Sequence, residues 1–437
     1  MEEIMKITKN LIIALFAATA IFLAGCSTTS GASDNSKKTE TPTTGQKLSL
    51  NRPFGIADDE YQALLDISLI SKGNNYRLKK VIQKLRAGED VYIAALGGSV
   101  TEGAGPANFK DGYAYQFNNK LKEKYTPNNG ANVHFDGAGL SGTPSSLGLT
   151  RYQSDVVDVL GVEPDLLIIE FAVNDDGSEQ ATRAFEALIR NALLANKDTA
   201  VIALYSAATY GNTAQNKKPV AEFYGVPQIN VLDLFNYGVG KGYFTKNPGE
   251  YYADNVHPTK SGHELQADAI MNLFAAVDAS SDDAESAVPE NWCKPKPLTN
   301  FTRIFDNDKN VKITKGSFSG TDTSTQGIKK TNKGNFPKNW YHDSGDESFK
   351  MEINCKSLIF TYKEQGSWLS KKFGKAEIYV DGKLKATYDG GKAGGWCNCV
   401  PVFLIDEAET SKHTVEVKMA SGEESKGFTI VALGYSY

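Results

Sequence analysis

Between residues 51 and 277 the chain alternates short apolar runs with longer stretches of helical period. The run Val91-Tyr92-Ile93-Ala94-Ala95-Leu96 shows no polar alternation, as in a strand covered on both faces. Similar runs lie at 165–171, 200–205 and 228–231, with a weaker one at 131–135. Helical period fills the gaps at 113–124, 147–160, 180–195, 217–224 and 261–275. This alternation predicts an α/β domain with a five-stranded parallel sheet, doubly wound by helices. In such sheets ligands bind beyond the carboxyl ends of the strands.

The pattern changes after residue 277. Residues 278–290 are rich in Asp, Ser and Ala and read as a linker. Beyond them the helical period vanishes and short alternating runs appear at 358–362, 376–380, 413–418 and 428–433. Asp381-Gly382 separates two runs as a hairpin turn does. The stretch 291–437 therefore predicts an all-β sandwich. A total of 437 residues agrees with two domains.

The N-terminus has another character. Lys6 and Lys9 precede an apolar run at 11–23, which ends in Leu23-Ala24-Gly25-Cys26. The run is too short to span a bilayer comfortably. The small residues leading to a cysteine resemble the lipobox of bacterial lipoproteins, which implies a signal peptide over 1–26 and lipidation at Cys26. Residues 27–50 are polar and read as a disordered tether, with an end-to-end distance of roughly 25 Å. The expected location is extracellular, lipid-anchored to the bacterial cell membrane. The net charge of −5 leaves no electrostatic footprint for nucleic acid and no polybasic membrane patch. Cys293, Cys355, Cys397 and Cys399 lie in the last third, where an extracellular setting permits disulfides in any of three full pairings. Cys397-Asn398-Cys399 has no matching pair at zinc-ligand spacing.

Four short blocks carry chemistry. Gly97-Gly98-Ser99-Val100-Thr101 follows the first strand and puts a serine at its carboxyl end. It lacks the Lys of a phosphate-binding P-loop, and Thr101 stands where the nucleophile elbow of α/β-hydrolases needs glycine. Gly137-Ala138-Gly139-Leu140-Ser141-Gly142-Thr143-Pro144 follows the second strand and reads as a flexible loop on its own. Glu170-Phe171-Ala172-Val173-Asn174-Asp175 leaves the third. Asp254-Asn255-Val256-His257-Pro258 is sharper: its spacing lets Asp254 reach the Nδ1 side of the His257 ring, and Pro258 suits the first turn of a helix.

In order and spacing these blocks resemble the SGNH (GDSL-like) hydrolases over roughly residues 92–275. The resemblance implies a flavodoxin-like three-layer α/β/α fold, with Ser99 as nucleophile and Asp254 and His257 as acid and base. It also implies an oxyanion hole of Ser99, Gly142 and Asn174, and neither a metal nor an organic cofactor. Gly98 replaces the Asp of the family motif, and Ala172 replaces the usual glycine before the Asn block. Gly-Gly-Ser, Phe-Ala-Val-Asn-Asp and residues 141–148 look like a carbohydrate-esterase subgroup. Arg151 and Glu170 read as a structural ion pair or loop anchors, and His134 and His263 as structural histidines.

All four tryptophans, Trp292, Trp340, Trp368 and Trp396, lie in the β region. That region loosely resembles the jelly-roll accessory domains of bacterial carbohydrate esterases. Most of the four are expected in the core. Trp396, after two glycines on a loop, is the candidate glycan contact. The leading reading is an esterase that removes O-acetyl or similar short acyl groups from extracellular polysaccharide. A lipid-directed esterase, which needs a long apolar groove, and a non-catalytic glycan-binding lipoprotein are the competing ones.

Overall fold

The structure, a computed structural model, describes residues 52–437 apart from Asn332 and Ser367. The signal peptide, Cys26 and the tether lie outside the described residues.

Strands β1 (Leu69–Ser71), β2 (Val91–Gly97), β3 (Val133–Gly139), β4 (Leu166–Glu170), β5 (Ala200–Tyr205) and β6 (Gln228–Asn230) form one sheet in the order β1-β6-β5-β4-β2-β3. The last five are parallel, as expected. The sheet has six strands rather than five, because β1 pairs antiparallel with β6 at the edge. Its three residues are half-buried or exposed, so they show no apolar run. The five parallel strands follow the flavodoxin-like order, which reverses direction between β2 and β4.

Successive residues of each strand face opposite cores. Ile93 and Ala95 of β2 join one cluster, with Leu166, Ile202 and the helix Lys260–Asp278. Ala94 and Leu96 join the other, with Ile169, Val201 and the helix Glu179–Ala195. Both faces are thus covered, which is why β2 reads as an unbroken apolar run.

The β region holds strands β7 (Thr302–Arg303), β8 (Val311–Thr314), β9 (Gly327–Ile328), β10 (Lys333–Gly334), β11 (Trp340–His342), β12 (Phe349–Lys363), β13 (Lys375–Val380), β14 (Lys383–Asp389), β15 (Cys399–Met419) and β16 (Phe428–Ser436). All but β9 and β10, which pair only with each other, belong to one antiparallel sheet. Strand β12 pairs with β15 along nearly its whole length, but with β8 in its first half and β16 in its second. A bulge between Cys355 and Ser357 switches the parity of its inward residues. Met351, Ile353, Leu358 and Phe360 consequently enter one core, and the sheet folds over itself. Asp381 and Gly382 both have positive φ, 51° and 74°, and close the β13–β14 hairpin as expected.

The two halves share buried surface. Leu140 and Leu147 of the α/β half pack with Phe336, Cys399, Val431 and Ala432 of the β half. Buried Arg183 pairs with Asp406 at 2.7 Å. The connecting segment is strapped down: Asn75 Nδ2 donates to Ser281 O at 2.8 Å, Asn75 Oδ1 accepts Asp283 N at 2.9 Å, and Arg190 Nη2 donates to Glu290 O at 3.1 Å. Cys293, Cys355, Cys397 and Cys399 are free thiols. Among the described residues no helix is long and apolar enough to cross a membrane.

Candidate active site

The first and third motif blocks leave β2 and β4, the neighbours between which strand order reverses. Ser99 opens a single helical turn, Ser99–Glu102, and is buried. The motif carrying Asp254 and His257 precedes the helix Lys260–Asp278, capped by Thr259 through its bond from Gly262 N at 3.2 Å.

His257 Nε2 lies 2.9 Å from Ser99 Oγ, and His257 Nδ1 lies 2.7 Å from Asp254 Oδ2. Asp254 Oδ1 also accepts the backbone N–H groups of Val256 at 2.7 Å and His257 at 2.8 Å. Partial burial opposes ionisation of Asp254, but these bonds prevail and hold its carboxyl below the usual range. An ionised Asp254 accepts a hydrogen bond from Nδ1–H, which holds the proton on Nδ1 and leaves the Nε2 lone pair facing the serine hydroxyl. That is the arrangement a nucleophilic serine and its base require.

The Gly142 loop is tied to the nucleophile loop by Leu140 N donating to Gly97 O at 3.0 Å. Gly142 has φ +67°, a conformation that disfavours any side chain, and a Cβ there would meet the Trp396 ring at 3.0 Å. Trp396 of the β half thus covers Gly142, with 42% of its surface exposed. Asn174 sits in the turn after β4, with Asn174 N donating to Phe171 O at 3.2 Å. A Cβ on residue 98 would stand 1.9 Å from Asn174 Oδ1. The glycine that replaces the family's Asp thus leaves room for the Asn174 amide, which a side chain at residue 98 would displace. Ala172 is buried, and its carbonyl accepts Thr213 N at 2.8 Å.

Residues 95–265 match the model of the GDSL-like Lipase/Acylhydrolase family. The α/β half is a GDSL-like acylhydrolase. It is a carboxylic ester hydrolase. The chain is also similar, at TM-score 0.72 and 25% identity, to a two-domain esterase active on acetylated mannans, co-crystallised with mannopentaose. That likeness covers 85% of this chain and 97% of the other. A second structure of a two-domain esterase active on acetylated mannans matches at 24% identity over 85% and 98%, also at TM-score 0.72. A catalytic mutant of an acetylxylan esterase from Geobacillus stearothermophilus matches at 18% identity, TM-score 0.34, over 43% of this chain and 96% of that one. No curated protein matches the sequence.

Other predicted residues of the acylhydrolase fall as follows. Arg151 is fully buried and anchors the carboxyl ends of β2 and β3 at once: Nη2 donates to Gly97 O at 2.8 Å and Nη1 to Ala138 O at 2.8 Å. Its ion pair is with Asp155, at 3.0 Å, not with Glu170. His263 accepts from Tyr113 N at Nδ1 (3.1 Å) and donates from Nε2 to Ala104 O (2.9 Å). Burial pushes its pKa down to about 4, so it is a neutral structural ring. His134 stacks on Tyr92 and pairs with Asp90 at the surface. Trp340 is buried, Trp292 is half-buried beneath Arg190, and Trp368 is exposed.

Three sets of contacts at the site arise only from the tertiary fold. Glu102, three residues after the serine, accepts Ser141 N at 3.1 Å and the Ser141 hydroxyl. Gln326 and Trp396 reach the Gly142 loop from the β half. Lys217 and Asp175 form a buried ion pair at 2.9 Å behind Asn174.

Glu170 is fully buried beneath the nucleophile loop and accepts Thr101 Oγ1 at 3.0 Å. Burial raises its pKa to about 7. The unfolded chain releases this proton near its ordinary pKa of 4.5, so stability falls as pH rises from about 4.5 to about 7. Glu170→Gln removes that loss. Relative to the parent, the variant should gain on the order of 3 kcal/mol between about pH 4.5 and pH 7.5, read by denaturant titration at each pH. A constant difference across the range would contradict the assignment.

Proposed function

We propose that this chain is a serine esterase that removes O-acetyl or other short acyl groups from extracellular polysaccharide through an acyl-enzyme. The observation that carries the chemistry is the continuous Asp254–His257–Ser99 hydrogen-bond chain at the sheet's reversal point. In this reading His257 takes the Ser99 proton as the hydroxyl attacks the ester carbonyl. The N–H groups of Ser99 and Gly142 and the Asn174 amide hold the oxyanion, each donor being worth roughly 3 kcal/mol of barrier. His257 then protonates the departing sugar hydroxyl, and water, activated by the same imidazole, releases the acyl group.

The substrate class is supported by likeness to a two-domain esterase active on acetylated mannans along most of both chains. Trp396 supports it independently. A half-exposed indole beside the proposed oxyanion hole is a platform for a sugar ring. We take Cys26 as the lipid anchor on the strength of its sequence context, which places the enzyme outside the cell on its membrane.

A ladder of p-nitrophenyl esters tests the acyl class. Turnover should be greatest with acetate and fall by about tenfold or more by octanoate, since the Trp396 ring stands against Gly142 beside the proposed oxyanion hole. A preference for long chains would favour the lipid-directed reading. No turnover of any ester would leave a glycan-binding lipoprotein.

A further inference from the structure

The Gly142 N–H, proposed above as an oxyanion donor, shares a rigid peptide plane with the Ser141 carbonyl. Whatever fixes Ser141 O therefore fixes the aim of Gly142 N–H. Gln326 does this from the β half. Its Nε2 donates to Ser141 O at 2.6 Å, and its Oε1 accepts Cys399 N at 3.2 Å. The second bond sets the amide orientation, because the reverse would turn two N–H donors toward each other at Cys399 and two oxygens toward each other at Ser141. Gln326 is itself buried, with 3% of its surface exposed, and its carbonyl accepts Asn335 N at 2.8 Å. The opposite side of Ser141 is held by Glu102, whose other oxygen accepts Lys329 N at 3.0 Å, again from the β half.

We infer that Gln326 is a positioning residue for ester hydrolysis, which orients the Ser141–Gly142 peptide so that its N–H meets the oxyanion. The inference rests on the esterase reading above. It makes the β half part of the catalytic apparatus rather than an appended binding module. A hydrogen bond accepted by the carbonyl also polarises the peptide, and strengthens its N–H as a donor.

The test uses the chain from Ser27 onward with p-nitrophenyl acetate as substrate and phenylboronic acid as a probe that forms a tetrahedral adduct on the serine. Gln326→Leu should lower kcat by about tenfold to a hundredfold, part or most of one oxyanion donor, with KM little changed. The inhibition constant of the boronic acid should rise by a comparable factor, since it reports transition-state binding. Gln326→Glu keeps the shape and the acceptor for Cys399 N–H, but an ionised carboxylate cannot donate to Ser141 O, so it should show the same loss. It carries the test if the leucine variant does not fold. Asp406→Asn breaks a different link between the halves, to Arg183, and should lower Tm while keeping kcat and boronate affinity. The inference is overturned if a folded Gln326 variant keeps both within about twofold, or if Asp406→Asn loses them equally. Absence of ester turnover and of boronate binding in the unmutated protein would overturn the esterase reading itself.

Discussion

Ser99→Ala will remove ester hydrolysis almost completely while leaving the fold intact. The Ser99 hydroxyl is bonded to His257 Nε2 at 2.9 Å at the opening of a four-residue helical turn, and alanine keeps that turn. In a serine triad the groups act as one unit, and loss of the nucleophile costs about 10⁶-fold in kcat. A fall of at least about 10⁴-fold is expected here, with Tm within a few degrees of the parent. His257→Ala should cost as much by itself and add almost nothing to Ser99→Ala, since the base has no function without its nucleophile. Residual hydrolysis within about a hundredfold of the parent would mean that another group attacks the ester.

The second large effect is on stability. Lys217 and Asp175 have fully buried side chains and pair at 2.9 Å. Asp175 also accepts Ser145 N at 2.8 Å and the Ser145 hydroxyl at 2.9 Å, and Lys217 Nζ reaches Thr213 Oγ1 at 3.0 Å. Asp175 thus joins the turn holding Asn174 to the helix that follows the Gly142 loop. Lys217→Met keeps the length of the side chain and leaves a buried carboxylate unpaired. Such a loss costs about 3–5 kcal/mol, because the charge must stay desolvated or take up a proton. Burial already pushes the Asp175 pKa up, and without Lys217 it rises further. The deficit should therefore be greatest above the new pKa and shrink as pH falls through it. Denaturant titration measures it, and Asp175→Asn in the same chain should recover part. A deficit below about 1 kcal/mol at pH 7 would show that the pair is dispensable.

Legibility in the sequence followed how local the causes were. Residues 91–96 announced a strand because both faces of β2 are covered. The sequence pattern sets β3 early, at 131–135, because Gly137-Ala138-Gly139 reads as loop. Those residues end the strand, and Gly139 leaves room for the backbone of Glu102, which would lie 2.1 Å from a Cβ. The helix Val231–Lys241 carries two glycines and gave no clear period. In β15 the polar stretch from Asp406 to Lys412 interrupts the alternation, so only 413–418 could be seen, although pairing with β12 holds much of the strand.

The four motif blocks were legible because each keeps its reactive atoms within a few residues, and the fold brings Ser99, His257 and Asp254 into hydrogen-bond contact. The contribution of the β half was not. Gln326 stands 185 residues from Ser141, and nothing in its neighbourhood marks it apart from any buried amide. A glycine-rich loop marks Trp396 in the sequence, but its place over Gly142 follows only from the docking of the two halves.

The central claim is deacetylation of polysaccharide at Ser99. Its most direct test is acetate release from acetylated mannan by the chain from Ser27 onward, beside Ser99→Ala. The account predicts steady release by the parent chain and none above background by the variant. No release from acetylated mannan or xylan by a folded parent chain that still cleaves long-chain esters would contradict it.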